Sequence, residues 1–178
     1  MARLRKFAAY RSIERPYTRR SKYRNKSFIK ANPSSKIVRF DGGNLKRDFD
    51  YEIDLVSKST LQIRHNAIES ARLTSMRTLE KSIGKAAFHL KIRVYPHHIL
   101  RENPLASGAG ADRMSTGMKM SFGKPIGSAA QIKSGQEIFT AFVDKQNIEI
   151  AKKAIKKASY KLPGNYSVVI KEAKKPTA

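Results

Sequence analysis

The first thirty residues hold eleven basic side chains, Arg3, Arg5, Lys6, Arg11, Arg15, Arg19, Arg20, Lys22, Arg24, Lys26 and Lys30, against one acid, Glu14. A net charge of +10 in so short a segment opposes collapse into a core of its own. Apolar periodicity is weak there, and Pro16 and Pro33 interrupt any long helix. Residues 1–34 therefore read as a basic extension. Phe7, Tyr10, Tyr17, Tyr23 and Phe28 are interleaved with the cations. Guanidinium forks grip phosphate and flat rings stack on unpaired bases, so the pattern points to nucleic acid.

The remainder of the chain reinforces that direction. Its 178 residues carry 37 Lys plus Arg and 14 Asp plus Glu, a formal charge of +23. A polyanion is the natural partner for such a surplus, because each phosphate contact releases condensed counterions. A membrane is the weaker alternative. The longest stretches without a charge, Asn103–Ala111 and Leu162–Ile170, are far shorter than the ~20 apolar residues of a spanning helix. No lipidation motif is present, and no apolar run follows the basic N-terminus as a secretory signal would require. With no cysteine, disulfides, cysteine zinc sites, iron–sulfur clusters and thiol nucleophiles are excluded.

From Ser35 the pattern becomes that of a domain, taken as residues 35–172, with a basic tail at 173–178. Lys36–Phe40 reads as a short strand ended by the turn-rich Asp41-Gly42-Gly43-Asn44. Tyr51–Val56 alternates like a half-buried strand. Asn66 and Glu69 suggest an N-cap and capping box. Ile68, Ala71, Ser75, Met76, Leu79 and Ile83 then form one helical stripe before Gly84. Arg72, Arg77 and Lys81 lie off that stripe. Phe88, Leu90, Ile92 and Val94 alternate with the outward Lys91 and Arg93, and His97–Leu100 resumes after Pro96. Gly127–Lys133 and Gln136–Val143 read as a hairpin around Ser134-Gly135. A second helix spans Asn147–Tyr160, with Lys152, Lys153, Lys156 and Lys157 outward. Leu162-Pro163-Gly164 leads into a last strand, Tyr166–Ile170. Segregated strands and two helices predict an α+β fold with a mainly antiparallel or mixed sheet.

Three features test an enzymatic reading. Asp48, Asp50, Glu52 and Asp54 alternate and would share one strand face, read here as solvated, because the calcium-loop pattern with its central glycine and final glutamate is missing. Arg101–Ile126, holding four glycines and three methionines, fits neither helix nor strand and reads as a long functional loop. Within it Gly108, Gly110 and Arg113 only begin a dinucleotide fingerprint, and Pro125 stands where a phosphate loop needs Ser or Thr. The histidines fall in no ligand array. No catalytic residue, metal ligand or cofactor site is expected. An RNA-processing enzyme using the acidic strand and an architectural DNA-binding protein are the competing classes, the latter without helix-turn-helix or zinc-finger spacing.

The run Ala111-Asp112-Arg113, then Gly117-Met118-Lys119, Ser121-Phe122-Gly123-Lys124-Pro125, Gly127 and Ala130 resembles the ribosomal protein L sixteen family, in the archaeal and eukaryotic branch called L ten e. Arg15-Pro16-Tyr17-Thr18-Arg19, His65-Asn66-Ala67-Ile68-Glu69 with Ala71-Arg72, and Lys161-Leu162-Pro163-Gly164 extend the likeness over nearly the whole chain. Lys119 stands where the family usually has Arg, and Ile126 where it has a smaller residue. The resemblance implies an α/β-hammerhead-like domain in the large ribosomal subunit, on ribosomal RNA in the vicinity of 5S RNA and among neighbouring ribosomal proteins. It implies a loop directed toward tRNA acceptor arms and the peptidyl transferase centre, late joining during assembly, a cytoplasmic ribosomal location, and no membrane.

Charge and resemblance together give the expected sites. For ribosomal RNA these are Arg3, Arg5, Lys6, Arg11, Arg15, Tyr17, Arg19, Arg20, Lys22, Arg24, Lys26, Arg72, Lys91, Arg93, Lys124, Lys152 and Lys156. The tRNA-proximal loop comprises Arg101, Asn103, Ser107, Gly108, Gly110, Asp112, Arg113, Gly117 and Met118.

Overall fold

One long antiparallel strand pair organises the molecule. In a computed structural model, which describes residues 5–18, 23, 29, 32–103, 109–110, 113, 115 and 117–173, β2 (Tyr51–Ser57) has a neighbour far along the chain. That neighbour is the strand Glu137–Val143. Past a corner, β3 (Leu61–Arg64) pairs with the strand Lys124–Ile132. Val56 faces Glu137 and Leu61 faces Ile132, five residues on in one strand and five back in the other. The register shifts at a bulge between Leu55 and Val56 and from there holds round the corner. There the Ser57 N–H donates to the Gln136 carbonyl at 3.0 Å, and the Gly135 N–H donates to the Ser57 carbonyl at 2.8 Å.

This corner corrects the expected hairpin. Gly127–Lys133 and Gln136–Val143 belong to different sheets, and Ser134-Gly135 is where the chain crosses between them. A turn dipeptide between two alternating runs looks the same in either case. Only the distant partners, Tyr51–Arg64, separate the two.

Elements following β3 are α1 (His65–Ile83), β4 (Phe88–Ile92), β5 (His98–Glu102), β6 (Lys124–Ile132), β7 (Glu137–Val143), α2 (Ile148–Ser159) and β8 (Tyr166–Glu172), and β1 (Asp41–Gly43) precedes β2. They build a five-stranded sheet ordered β1-β4-β7-β2-β8 and a three-stranded sheet ordered β3-β6-β5, every pairing antiparallel. The α+β class is therefore observed, with two sheets rather than one.

Both helices contact one another and pack on one face of the larger sheet. Ile68, Ala71 and Leu79 of α1 and Ala151, Ala154, Ile155 and Ala158 of α2 are buried against Ile53, Leu55, Phe88, Leu90, Phe139 and Ala141. Each large side chain so buried contributes about 1.5–3 kcal/mol by leaving water. Leu61, Ile63, Ala130 and Ile132 carry the same core beneath the smaller sheet.

Two local readings shift. The strand expected at Lys36–Phe40 lies instead at Asp41–Gly43, where Gly42 pairs with Leu90 and Gly43 with His89. A Cβ on Gly43, at φ +91, would stand 2.2 Å from the Phe88 carbonyl oxygen, so this turn-like dipeptide is what lets β1 approach β4. Asn66 is not the N-cap either. β3 runs directly into α1 at His65, so Asn66 already lies in the first turn, and Glu69 accepts two hydrogen bonds from Arg72 instead.

Candidate nucleic-acid interface

The outer face of the smaller sheet is covered by the N-terminal segment. Gln62 on β3 and Gln131 on β6 are directly opposed and point outward. Gln62 Nε2 donates to the Tyr10 carbonyl at 3.0 Å, and Gln131 Nε2 donates to the Glu14 carbonyl at 2.8 Å. At the β5 edge the Ile99 N–H donates to the Tyr17 carbonyl at 2.9 Å, and the Tyr17 N–H donates to His98 Nδ1 at 3.0 Å. Arg64 Nη1 donates to the Arg5 carbonyl, and Arg5 Nε donates to Glu102 Oε1 at 2.7 Å. This segment's backbone is thus tied down, while Lys6, Arg11 and Arg15 remain exposed. His98 is a packing residue: burial first, then the nearby Arg101 charge, hold its imidazole below its ordinary pKa of 6.5, against an opposing pull from Glu14. Burial likewise lowers His65, helped by Lys36 and Arg64.

The foot of the long loop meets the same segment. β5 and β6 extend further than the sequence suggests, pairing Arg101 with Pro125 and Glu102 with Lys124, so the loop proper begins after Glu102 and ends at Gly123. The Arg101 guanidinium packs into the corner of two edge-to-face rings, 4.2 Å from the Tyr17 centroid and 3.9 Å from that of Phe122. Its Nη1 donates to the Phe122 carbonyl at 2.8 Å, and Glu14 stands 3.9 Å away. A Cβ on Gly123, at φ +79, would meet the Glu102 backbone at 2.7 Å, so glycine permits the loop's two ends to close. Arg101, read as a loop residue, is the clamp at the loop's base. Asn103 continues from it, half-buried; Gly110, Arg113, Gly117 and Met118 are exposed, Met118 at 87%.

The open face of the larger sheet overturns the reading of the acidic run. Asp48 and Asp50 precede β2 and are exposed, but Asp54 is 0% exposed. Arg93 Nε donates to Thr140 Oγ1 at 2.9 Å, Thr140 donates to Asp54 Oδ1 at 2.6 Å, and Lys171 Nζ bridges Asp54 Oδ2 at 2.8 Å and Glu137 at 2.6 Å. Hydrogen bonds to Asp54 and Glu137 raise the Lys171 pKa well above its ordinary value. Arg93 also lies over the Phe142 ring and 4.0 Å from Glu52. Of the alternating acids, Glu52 and Asp54 are therefore paired with cations on the sheet. Among the described residues no three His, Asp or Glu side chains gather as a metal site.

The expected RNA-facing residues divide accordingly. Arg93, Arg5 and Arg72 have carboxylate partners, Arg72 through a bidentate contact with the partly buried Glu69. Lys91 is half-buried on the open sheet face, and Lys124, Lys152 and Lys156 are exposed. Arg3, Arg19, Arg20, Lys22, Arg24, Lys26, Ser107, Gly108 and Asp112 lie outside the described residues. Sequence reasoning missed Gln62, Gln131 and Phe122 as anchors. The two glutamines carried a faint signal, each being a polar residue inside an apolar strand pattern.

A family model described as ribosomal protein L16p/L10e matches residues 14–169, which takes in the docked segment's end, the Arg101 clamp and both sheets. The chain belongs to the ribosomal protein L16p/L10e family. Curated relatives named "Large ribosomal subunit protein uL16" agree. That of Methanoculleus marisnigri is 46% identical over 165 residues, covering 92% of this chain and 94% of the relative. That of Methanosphaerula palustris is 46% identical over 162 residues, 90% of each, and one from Methanococcus maripaludis is 43% identical over 171 residues, 96% of each. As an L16p/L10e protein the chain is a structural ribosomal component in the cytoplasm and not an enzyme. No helix among the described residues is long and apolar enough to cross a membrane.

Proposed function

We propose that this chain, a structural constituent of the large ribosomal subunit, binds large-subunit ribosomal RNA near 5S RNA and helps position tRNA acceptor arms close to the peptidyl transferase centre. Residues 1–34 serve as an RNA-binding extension, residues 35–172 as the RNA-binding domain and 173–178 as a basic tail, with neighbouring ribosomal proteins as further partners. The carrying observation is the docked N-terminal segment. Its backbone is held by the smaller sheet through the Gln62, Gln131 and Ile99 hydrogen bonds, while Lys6, Arg11 and Arg15 project to solvent. A backbone fixed in this way presents cations at set positions, which lowers the ordering cost of gripping phosphates. Contacts to phosphate and shape are expected to dominate, because A-form RNA hides its base edges in a deep groove.

The loop between Glu102 and Gly123 is the part directed at tRNA, and its clamped base supports that role. Late joining to the subunit is what membership of the family suggests. The test is co-sedimentation of the tagged chain with large subunits, and binding of the purified chain to ribosomal RNA across a salt series. With ~6–10 phosphate contacts, affinity falls about 10³–10⁵-fold between 50 and 200 mM salt; a salt-indifferent chain absent from large subunits defeats the proposal. Deleting Asn103–Ala111 is expected to leave subunit binding intact while impairing translation or late maturation.

A further inference from the structure

Two grooves flank α2 near its C-terminal end and share a wall. One, with a volume of about 430 Å³, lies between α1 and α2 and has Thr78, Ser82, Ile150, Lys153 and Lys157 in its lining. The other, of about 650 Å³, lies between α2 and β8 and includes Lys58, Lys152, Asn165 and Tyr166. Lys156 and Tyr160 border both. Either volume is ample for a nucleotide-sized group.

The charge here differs in kind from that elsewhere. Every charged residue lining either groove is a lysine, and none of the five has a carboxylate partner among the described residues. Arg5, Arg47, Arg72, Arg93, Arg101 and Lys171, by contrast, each face an acid. Tyr160, 71% exposed, is not used by the core, since Ala151, Ala154, Ile155 and Ala158 make the buried face of α2. That same burial leaves α2 no apolar face for a membrane surface.

We infer that the ridge formed by Tyr160 and Lys156 binds single-stranded RNA, with the tyrosine ring stacked on an unpaired base and the lysines of the two grooves holding phosphates on either side. The inference rests on the RNA-binding function proposed above and deepens it by naming an unpaired segment and one aromatic. Stacking suits a protruding ring, because every base offers a flat face, and the flanking ammonium groups supply the salt-dependent part of the affinity.

The test uses the full chain with fluorescein-labelled decauridylate and, separately, a short RNA duplex at matched salt. Y160A is expected to weaken decauridylate binding about fivefold or more, Y160F to match the wild type, and neither to alter duplex binding. K156Q is expected to reduce the single-strand salt slope by about 0.7. Because the basic N-terminal segment also attracts oligonucleotides, bromouridine cross-linking with peptide mapping localises the contact, and an adduct on Tyr160 is expected. If the wild type binds both RNAs with a steep salt dependence, but Y160A equals wild type and no adduct forms at Tyr160, this inference fails while RNA binding stands. An equal loss on duplex and single strand also overturns it. Failure of the wild type to bind either RNA at low salt defeats both readings.

Discussion

The two sheets share one core yet are covered in different ways. The five-stranded sheet lies under α1 and α2, and the contact is apolar: Phe88 and Phe139 are wholly buried, with Ile155 and Leu79. The outer face of the three-stranded sheet lies under residues 5–17, held by backbone acceptors, two glutamines, His98 and the Arg101 guanidinium. Apolar cover is non-directional and strong in aggregate, whereas each polar tether contributes only about 0.5–1.5 kcal/mol net. The first cover belongs to global stability. The second, being weaker, is expected to open locally before the fold as a whole unfolds.

The sharpest way to break this contrast is truncation of the core. Phe139→Ala is expected to cost about 3–5 kcal/mol in urea denaturation and to lower the whole unfolding transition. A local loss confined to the smaller sheet would contradict the shared core. Thr140→Val comes next, at about 1–3 kcal/mol, because buried Asp54 loses its Oδ1 donor and Arg93 its acceptor. A neutral result would show that the open sheet face does not need the chain from Arg93 to Lys171.

Arg101→Lys keeps the charge but loses the planar group packed on Tyr17 and Phe122. Faster amide exchange at Ile99 is expected, equivalent to about 1 kcal/mol of local opening, with little change in Tm. A large fall in Tm would place the docked segment within the global unit. A weaker lever is pH. Burial holds His98 and His65 below 6.5 in the folded chain, so the unfolded chain binds protons more readily. Stability is therefore complete above that value and declines as pH falls through it toward the lowered folded values. Protonated His98 can no longer accept from the Tyr17 N–H, so the Tyr17 protection factor is expected to drop on acidification. H98Q should remove that dependence. Smallest of all, Lys153→Gln is expected to change stability by no more than about 0.5 kcal/mol, its ammonium having no carboxylate partner among the described residues; a larger loss would mean that the lysine face supports the fold.

Much of the fold was legible. The stripe Ile68, Ala71, Ser75, Leu79 and the alternation Phe88, Leu90, Ile92 report local geometry that burial then enforces. The lysines of α2 were readable for the same reason, being off the buried face of a short helix. What misled was polarity with a distant cause. Asp54 looks solvated until Thr140 and Lys171 are brought beside it, and Ser134-Gly135 looks like a hairpin until Ser57 pairs across it. The clamp at Arg101 was hidden because Tyr17, over eighty positions earlier, supplies one of its rings.

From its sequence alone this protein was committed to an α+β domain, a cationic character and a place in a ribosomal family, since periodicity, charge and motif are each carried by residues close together in the chain. Tertiary structure decided which cations are neutralised and which stay available, where the strands cross between sheets, and what holds the loop's base. Those outcomes depend on partners such as Thr140 with Asp54 and Arg5 with Glu102, 86 and 97 positions apart. Contacts that distant form only when the long strand pair brings them together, and no local pattern encodes them.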